Sequence, residues 1–140
     1  MSLDLSSLEQ SIDSLSRSIS SYTNNLDNES LSVDDIETLK AGVIQNFEVS
    51  YEVCWKHMKR WIEVQVSPLL VDGVSRRELY RVSAENHLIN EVEAWMDYHN
   101  AGNLASHTYS SDNAANAFKA GLKFVHDAKK FLSNLKSKND

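Results

Sequence analysis

Asn103, His107 and Tyr109 put a carboxamide, an imidazole and a phenol within seven residues of one another, in the run WMDYHNAGNLASHTY from residue 95 to 109. Ser106 adds a hydroxyl to the same stretch. Amphipathic periodicity does not call for Asn, Ser, His, Thr and Tyr side by side, whereas a site that binds or transforms a phosphorylated ligand uses such donors and acceptors. Asn103, Ser106, His107 and Tyr109 are therefore the candidate substrate- or nucleotide-binding residues. The competing structural readings are a cap or loop hydrogen bond for His107 and simple packing for Tyr109, which stands at helical spacing from Tyr98 and Gly102. One ingredient is missing: residues 82 to 118 contain no Lys or Arg. A cation that neutralises phosphate here has to come from another helix or another subunit.

A second set of polar residues lies upstream. Gln45, Glu48, Glu52 and Lys56 follow one another in steps of three and four, which lines them along one side of a helix. That side is either a solvated face with a Glu52–Lys56 ion pair or a face turned to a partner. Trp55 and Trp61 are correspondingly core residues or interface anchors. His57, His87, His99, His107 and His126 show no i, i+4 pair and no short Cys/His grouping of the kind that holds zinc, so no metal site is expected. Glycine-rich phosphate loops and Ser/His/Asp signatures are also lacking.

The elements that must carry these residues read as helices throughout. The 140 residues include only four glycines and one proline, and one domain spanning 1–140 suits that length. Leu5, Leu8, Ile12, Leu15, Ile19, Tyr22 and Leu26 form one helical stripe. Ser32 and Asp35 form a capping pair for a second helix from Val33 to near Ser67, which Pro68 ends. Such a helix is about 50 Å long, so Gly42 is expected to mark a kink or break. Its apolar face carries Ile36, Leu39, Val43, Phe47, Tyr51, Cys54, Trp55, Met58, Trp61 and Ile62. Ser75 and Glu78 open a short third helix ending near Asn86, Asn90 with Glu93 caps a fourth that ends soon after Asn103, and Asp112 or Asn113 caps the last. The last helix turns Ala117, Phe118, Gly121, Leu122, Val125, Ala128, Phe131, Leu132 and Leu135 inward, with Lys129, Lys130, Lys136 and Lys138 near its negative end. The fold expected is all-α: an antiparallel up-and-down bundle of four main helices plus one short one.

Composition narrows the function classes. A net charge of −6 argues against broad, unspecific nucleic-acid binding, although Lys56, Lys59, Arg60, Arg76, Arg77 and Arg81 concentrate basic charge locally. The single cysteine, Cys54, excludes an intrachain disulfide and suits a reducing cytoplasm as a buried apolar residue. The first ten residues do not read as a signal peptide, and no stretch reads as a membrane span, so a cytoplasmic protein is expected.

Two blocks in order, GVIQNFEVSYEVCWKHMKRWIE at 42–63 and EAWMDYHNAGNLASHTY at 93–109, resemble the nucleotidyltransferase substrate-binding proteins, a branch of the HEPN superfamily. The resemblance covers roughly residues 35 to 118. It implies a small helical bundle that forms homodimers and binds a minimal nucleotidyltransferase encoded by a neighbouring gene. It also implies no cofactor of the chain's own, with ATP or another nucleotide and magnesium supplied through the partner. The helix bearing Gln45, Glu48, Glu52, Trp55 and Lys56 would then face that partner or the dimer mate. In the ribonuclease form of the family the motif is Arg, a polar residue, then His and often Tyr two further on. Asn103, His107 and Tyr109 match the polar, His and Tyr positions, which makes His107 the catalytic candidate and Tyr109 the candidate acceptor of an adenylyl group. Gly102 stands where that form has Arg, and the loss of a guanidinium removes the charge that offsets the transition state on phosphorus. The favoured reading is a non-catalytic substrate- or nucleotide-binding subunit. The alternative is a ribonuclease toxin with a diverged site, acting on RNA and silenced by tyrosine adenylylation.

Overall fold

The computed structural model describes residues 2–105 and 111–139, and among these it contains five α-helices, one short 3-10 turn and no strand. The helices are α1 (Ser6–Asn24), α2 (Val33–Gln65), α3 (Arg76–Glu85), α4 (Val92–Ala105) and α5 (Ser111–Lys138), with the turn at Pro68–Leu70. They form the antiparallel up-and-down bundle expected: α2 packs against α1 and α5, α4 against α5, and α3 covers α4 and the far part of α2.

Apolar spacing marks the helices, and at the starts of α2 and α3 capping chemistry agrees with it. In α1, Leu8, Ile12 and Leu15 are buried, with Ile19 and Tyr22 at the edge of the core. The helix stops at Asn24, so Leu26 falls outside the stripe it was expected to extend and is 49% exposed. At the start of α2 the Ser32 hydroxyl accepts from the Asp35 N–H at 3.1 Å, while the Asp35 carboxylate accepts from the Ser32 N–H at 2.9 Å. Two otherwise orphaned donors are satisfied in this way. The helix then runs 33 residues without the break expected at Gly42. Packing overrides the weak propensity of one glycine, because Val43 and Phe47 just beyond it are fully buried against α5. The close approach needs Gly121 on α5, where an added Cβ would lie 3.2 Å from the Phe47 Cβ.

Helix α5 begins at Ser111, so Asp112, expected as a cap, sits inside the first turn and complements the positive end of the helix dipole. Its buried face is wider than the sequence suggested. Phe124, not read as inward, is fully buried with its ring 5.0 Å from Tyr98, 5.4 Å from Trp95 and 5.4 Å from Phe47. The reason is that α5 touches α1, α2 and α4 at once, so a narrow stripe cannot satisfy it. Phe118, Leu122 and Leu132 are only partly covered. Cys54 is fully buried and its thiol is pushed far up by burial, which leaves it an inert core residue.

Candidate functional site

Aromatic packing of α2, α3 and α4 brings four polar side chains to one point. Tyr51 projects from α2 into the core and is 4% exposed. Its hydroxyl meets Tyr80 of α3, His99 of α4 and Arg76 from the first turn of α3. The Ser75 hydroxyl caps α3 by accepting from the Glu78 N–H at 3.1 Å, which fixes where Arg76 leaves the backbone. Arg76 Nη1 donates to Tyr51 Oη at 2.8 Å, and the guanidinium lies 3.7 Å from the centre of the Trp55 ring. The cation is thus held between a phenol oxygen and an indole face.

The hydrogen-bond inventory fixes who donates. Asn103 Nδ2 donates to His99 Nε2 at 3.3 Å, so the neutral imidazole carries its proton on Nδ1 and donates to Tyr51 Oη at 2.9 Å. A phenol oxygen accepts twice and donates once. With Arg76 and His99 as donors, the Tyr51 proton goes to Tyr80 Oη. Burial and then the Arg76 charge hold the His99 pKa below its ordinary value, so the ring is neutral at pH 7. Burial raises the Tyr51 pKa and outweighs the opposing effects of Tyr80 and Arg76. This is a neutral, hydrogen-bonded relay with one permanent cation, Arg76, bonded to its centre.

Two cavities with no lining residue in common adjoin the relay. One, about 310 Å³, is lined among the described residues by Gln45, Glu48, Val49, Tyr51, Glu52, Gly102 and Asn103. The two polar blocks of the sequence, 45–52 and 102–103, therefore meet in space, and the charges they bring are carboxylates. Glu48 has its pKa raised by burial. An added Cβ at Gly102 would lie 3.5 Å from the Tyr51 ring, an ordinary contact. The second cavity, about 370 Å³, is walled by Trp55, Lys59, Ser75, Arg76, Leu79 and His99, among others.

Of the residues singled out from sequence, Asn103 is exposed on α4 and bonded to His99. Ser106, His107 and Tyr109 lie outside the described residues. Trp55 is half-buried and donates from Nε1 to Glu52 at 2.8 Å, and Lys56 pairs with Glu52 at 3.6 Å, so both are drawn toward the carboxylate side. Trp61 is core, 8% exposed. Of the local basic cluster, Arg77 pairs with Glu93, Arg81 with Glu78 and Glu85, and Arg60 with Glu63. Glu93 is therefore engaged with α3 rather than with Asn90. No three His, Cys, Asp or Glu side chains are grouped to hold a metal among the described residues, and no helix there is long and apolar enough to cross a membrane. Sequence reasoning passed over His99 and the roles of Tyr51 and Arg76. The i, i+4 relation of His99 to Asn103 was a usable signal, whereas the other two meet them only through the fold.

Comparison with known proteins agrees with this architecture. A protein of Haemophilus influenzae, whose structure is described as revealing the fold of a substrate binding domain of a nucleotidyltransferase, superposes with a TM-score of 0.86 at 24% identity, over 95% of this chain and 99% of that one. A Thermus thermophilus protein superposes with a TM-score of 0.63 at 19% identity, over 86% and 98% of the two chains. In sequence, the Haemophilus influenzae protein named "Probable ribonuclease HepT" is 29% identical over 106 residues, covering 74% of this chain and 71% of that relative. The family model described as "Nucleotidyltransferase substrate binding protein like" matches residues 3–137. The chain belongs to the nucleotidyltransferase substrate-binding-like family.

Proposed function

We propose that this chain is the substrate-binding subunit of a two-component nucleotidyltransferase, and that it makes no bond itself. It docks a separately encoded minimal transferase, which supplies the nucleotide and magnesium. The observation that carries this reading is the charge of the cavity at Gly102 and Asn103, whose described lining has Glu48 and Glu52 and no cation. Attack on a phosphodiester builds negative charge on phosphorus, and two nearby carboxylates oppose it. The same lining suits an acceptor molecule rich in hydroxyl or amine donors. The docking surface is the α2 face with Gln45, Glu48, Glu52, Trp55 and Lys56, and the α2–α5 groove around Ile44, Phe118 and Leu122 receives a second copy of the chain.

Co-expression with the product of the adjacent gene tests the reading: the two chains should co-purify, and the complex should bind ATP with magnesium more tightly than the transferase alone. Independent elution of the two proteins defeats it. A second reading, a ribonuclease whose Tyr109 is adenylylated by the transferase, is favoured by the name of the 29% identical relative. RNA cleavage by the unmodified protein that disappears in His107→Ala would install that reading instead.

A further inference from the structure

We infer that the cavity walled by Arg76, Lys59 and His99 is an anion subsite that takes the tetrahedral phosphate of a phosphate monoester. The cavity holds about 370 Å³, ample for a phosphate group, and the side chains named above that wall it include two permanent cations and one imidazole but no carboxylate. That is unusual in a chain of net charge −6, where nearby Arg60, Arg77, Arg81 and Lys56 all have carboxylate partners. Arg76 and Lys59 have no such partner among the described residues. Arg76 commits N–H groups to Tyr51 and Tyr80 and its face to Trp55, and a guanidinium presents five N–H groups in a fixed fork. The remaining N–H groups match the oxygens of a phosphate, the pairing at which arginine excels. The Tyr51 bond and the Trp55 ring hold the fork in place before a ligand arrives, which reduces the ordering cost of binding.

Side chains on three elements contribute. Lys59 comes from α2, one helical turn beyond Trp55; Ser75 and Arg76 come from the start of α3; His99 comes from α4. The first-turn N–H groups of the ten-residue α3 add a partial positive charge at the same wall. His99 joins the two cavities chemically, because its Nε2 faces Asn103 while its ring walls the anion site. The inference deepens the substrate-binding reading by naming the chemical group held, but it concerns the isolated chain. Failure to find a transferase partner leaves it standing, and failure to bind anions leaves the docking reading standing.

The test is calorimetric titration of the purified chain with inorganic phosphate, and separately with AMP, at ionic strength held constant with chloride, alongside the His99 imidazole proton resonances. Saturable binding with a shift of the His99 resonances is expected. It should weaken roughly tenfold or more in Arg76→Gln, as for loss of a charge-assisted hydrogen bond. Lys59→Gln, at a half-exposed position of α2, should weaken it roughly threefold to tenfold with the melting temperature unchanged. AMP binding tighter than phosphate assigns a nucleotide as the source, and equal binding assigns the phosphate group alone. No saturable heat in the millimolar range, or binding that both variants leave unchanged, overturns the proposal.

Discussion

Replacing Tyr51 with Phe tests whether the relay is a working hydrogen-bond hub or a chance meeting of polar groups. The substitution keeps the ring, and with it the aromatic contacts to Phe47 and Phe124, so packing is nearly conserved. What is lost is one oxygen with three partners: Tyr80 Oη, Arg76 Nη1 and His99 Nδ1. Arg76 and His99 are partly exposed and can turn to water. Tyr80 is fully buried and cannot, and it keeps only its lesser link to Arg76. A buried hydroxyl that loses its main partner costs about 1–3 kcal/mol. For a chain of 140 residues the unfolding entropy is about 0.3 kcal/mol/K, so the melting temperature should fall by about 3–10 °C. Tyr80→Phe should cost less, because Tyr51 keeps Arg76 and His99. The double variant should melt no lower than Tyr51→Phe alone, since removing both hydroxyls leaves nothing stranded. Differential scanning calorimetry on the four proteins measures all of this. Additive losses in the double variant, or a Tyr51→Phe protein melting within a degree of the parent, would refute the hub.

Three further outcomes follow from the same geometry. His99 should titrate by NMR with a midpoint below 6.5, since burial first and Arg76 second disfavour its charged form, and Arg76→Gln should move that midpoint up while Glu52→Gln moves it down. Because the unfolded ring takes its proton first, the stability that His99 contributes is complete above pH 6.5 and is lost as pH falls through that value toward the lower folded one. Gly102→Arg should fold and melt at or above the parent temperature, given the ordinary 3.5 Å contact of its Cβ with Tyr51, a better helix former and the Glu48 carboxylate in the same cavity. Light scattering at micromolar concentration should report a dimer, because the α2–α5 groove leaves Ile44, Phe118 and Leu122 incompletely covered, and a 15.8 kDa species alone would refute it.

The helices were legible from apolar spacing, and two of them are marked a second time by a cap: Ser32 with Asp35 and Ser75 with Glu78 both sit where the chain enters a helix. Misreadings came where packing outweighs local signals. Gly42 is a weak helix former inside a helix held along its length by α1 and α5, and Phe124 is buried because a third neighbour covers its side of α5. Asn103 was singled out from its neighbours in sequence, and the structure sets it beside His99; the stretch around it, free of Lys and Arg, pointed to other helices for any cation. The place of Arg76 was not legible. Arg76 stood in a basic cluster with five others, and only the fold shows that four of those pair with carboxylates while Arg76 is wedged between Tyr51 and Trp55.

Whether Arg76 replaces the arginine missing at position 102 decides between binding and catalysis, and the linings of the two cavities argue against it. Gly102 and Asn103 line the cavity with Glu48 and Glu52, while Arg76 lines the other and reaches the first only through its bond to Tyr51. A phosphate at the subsite inferred for Arg76 would sit on the His99 side of the relay, apart from the surface of Gly102 and Asn103. A guanidinium offsets charge on phosphorus only at contact distance, since the attraction falls with separation and with screening by water. Arg76→Gln in the Gly102→Arg background separates the two arginines. If position 102 is where a nuclease needs its charge, RNA cleavage gained in Gly102→Arg should persist when Arg76 is removed and vanish when His107→Ala is added. Cleavage that needs Arg76 instead would mean that a phosphate spans both cavities, and would refute the separation argued from their linings.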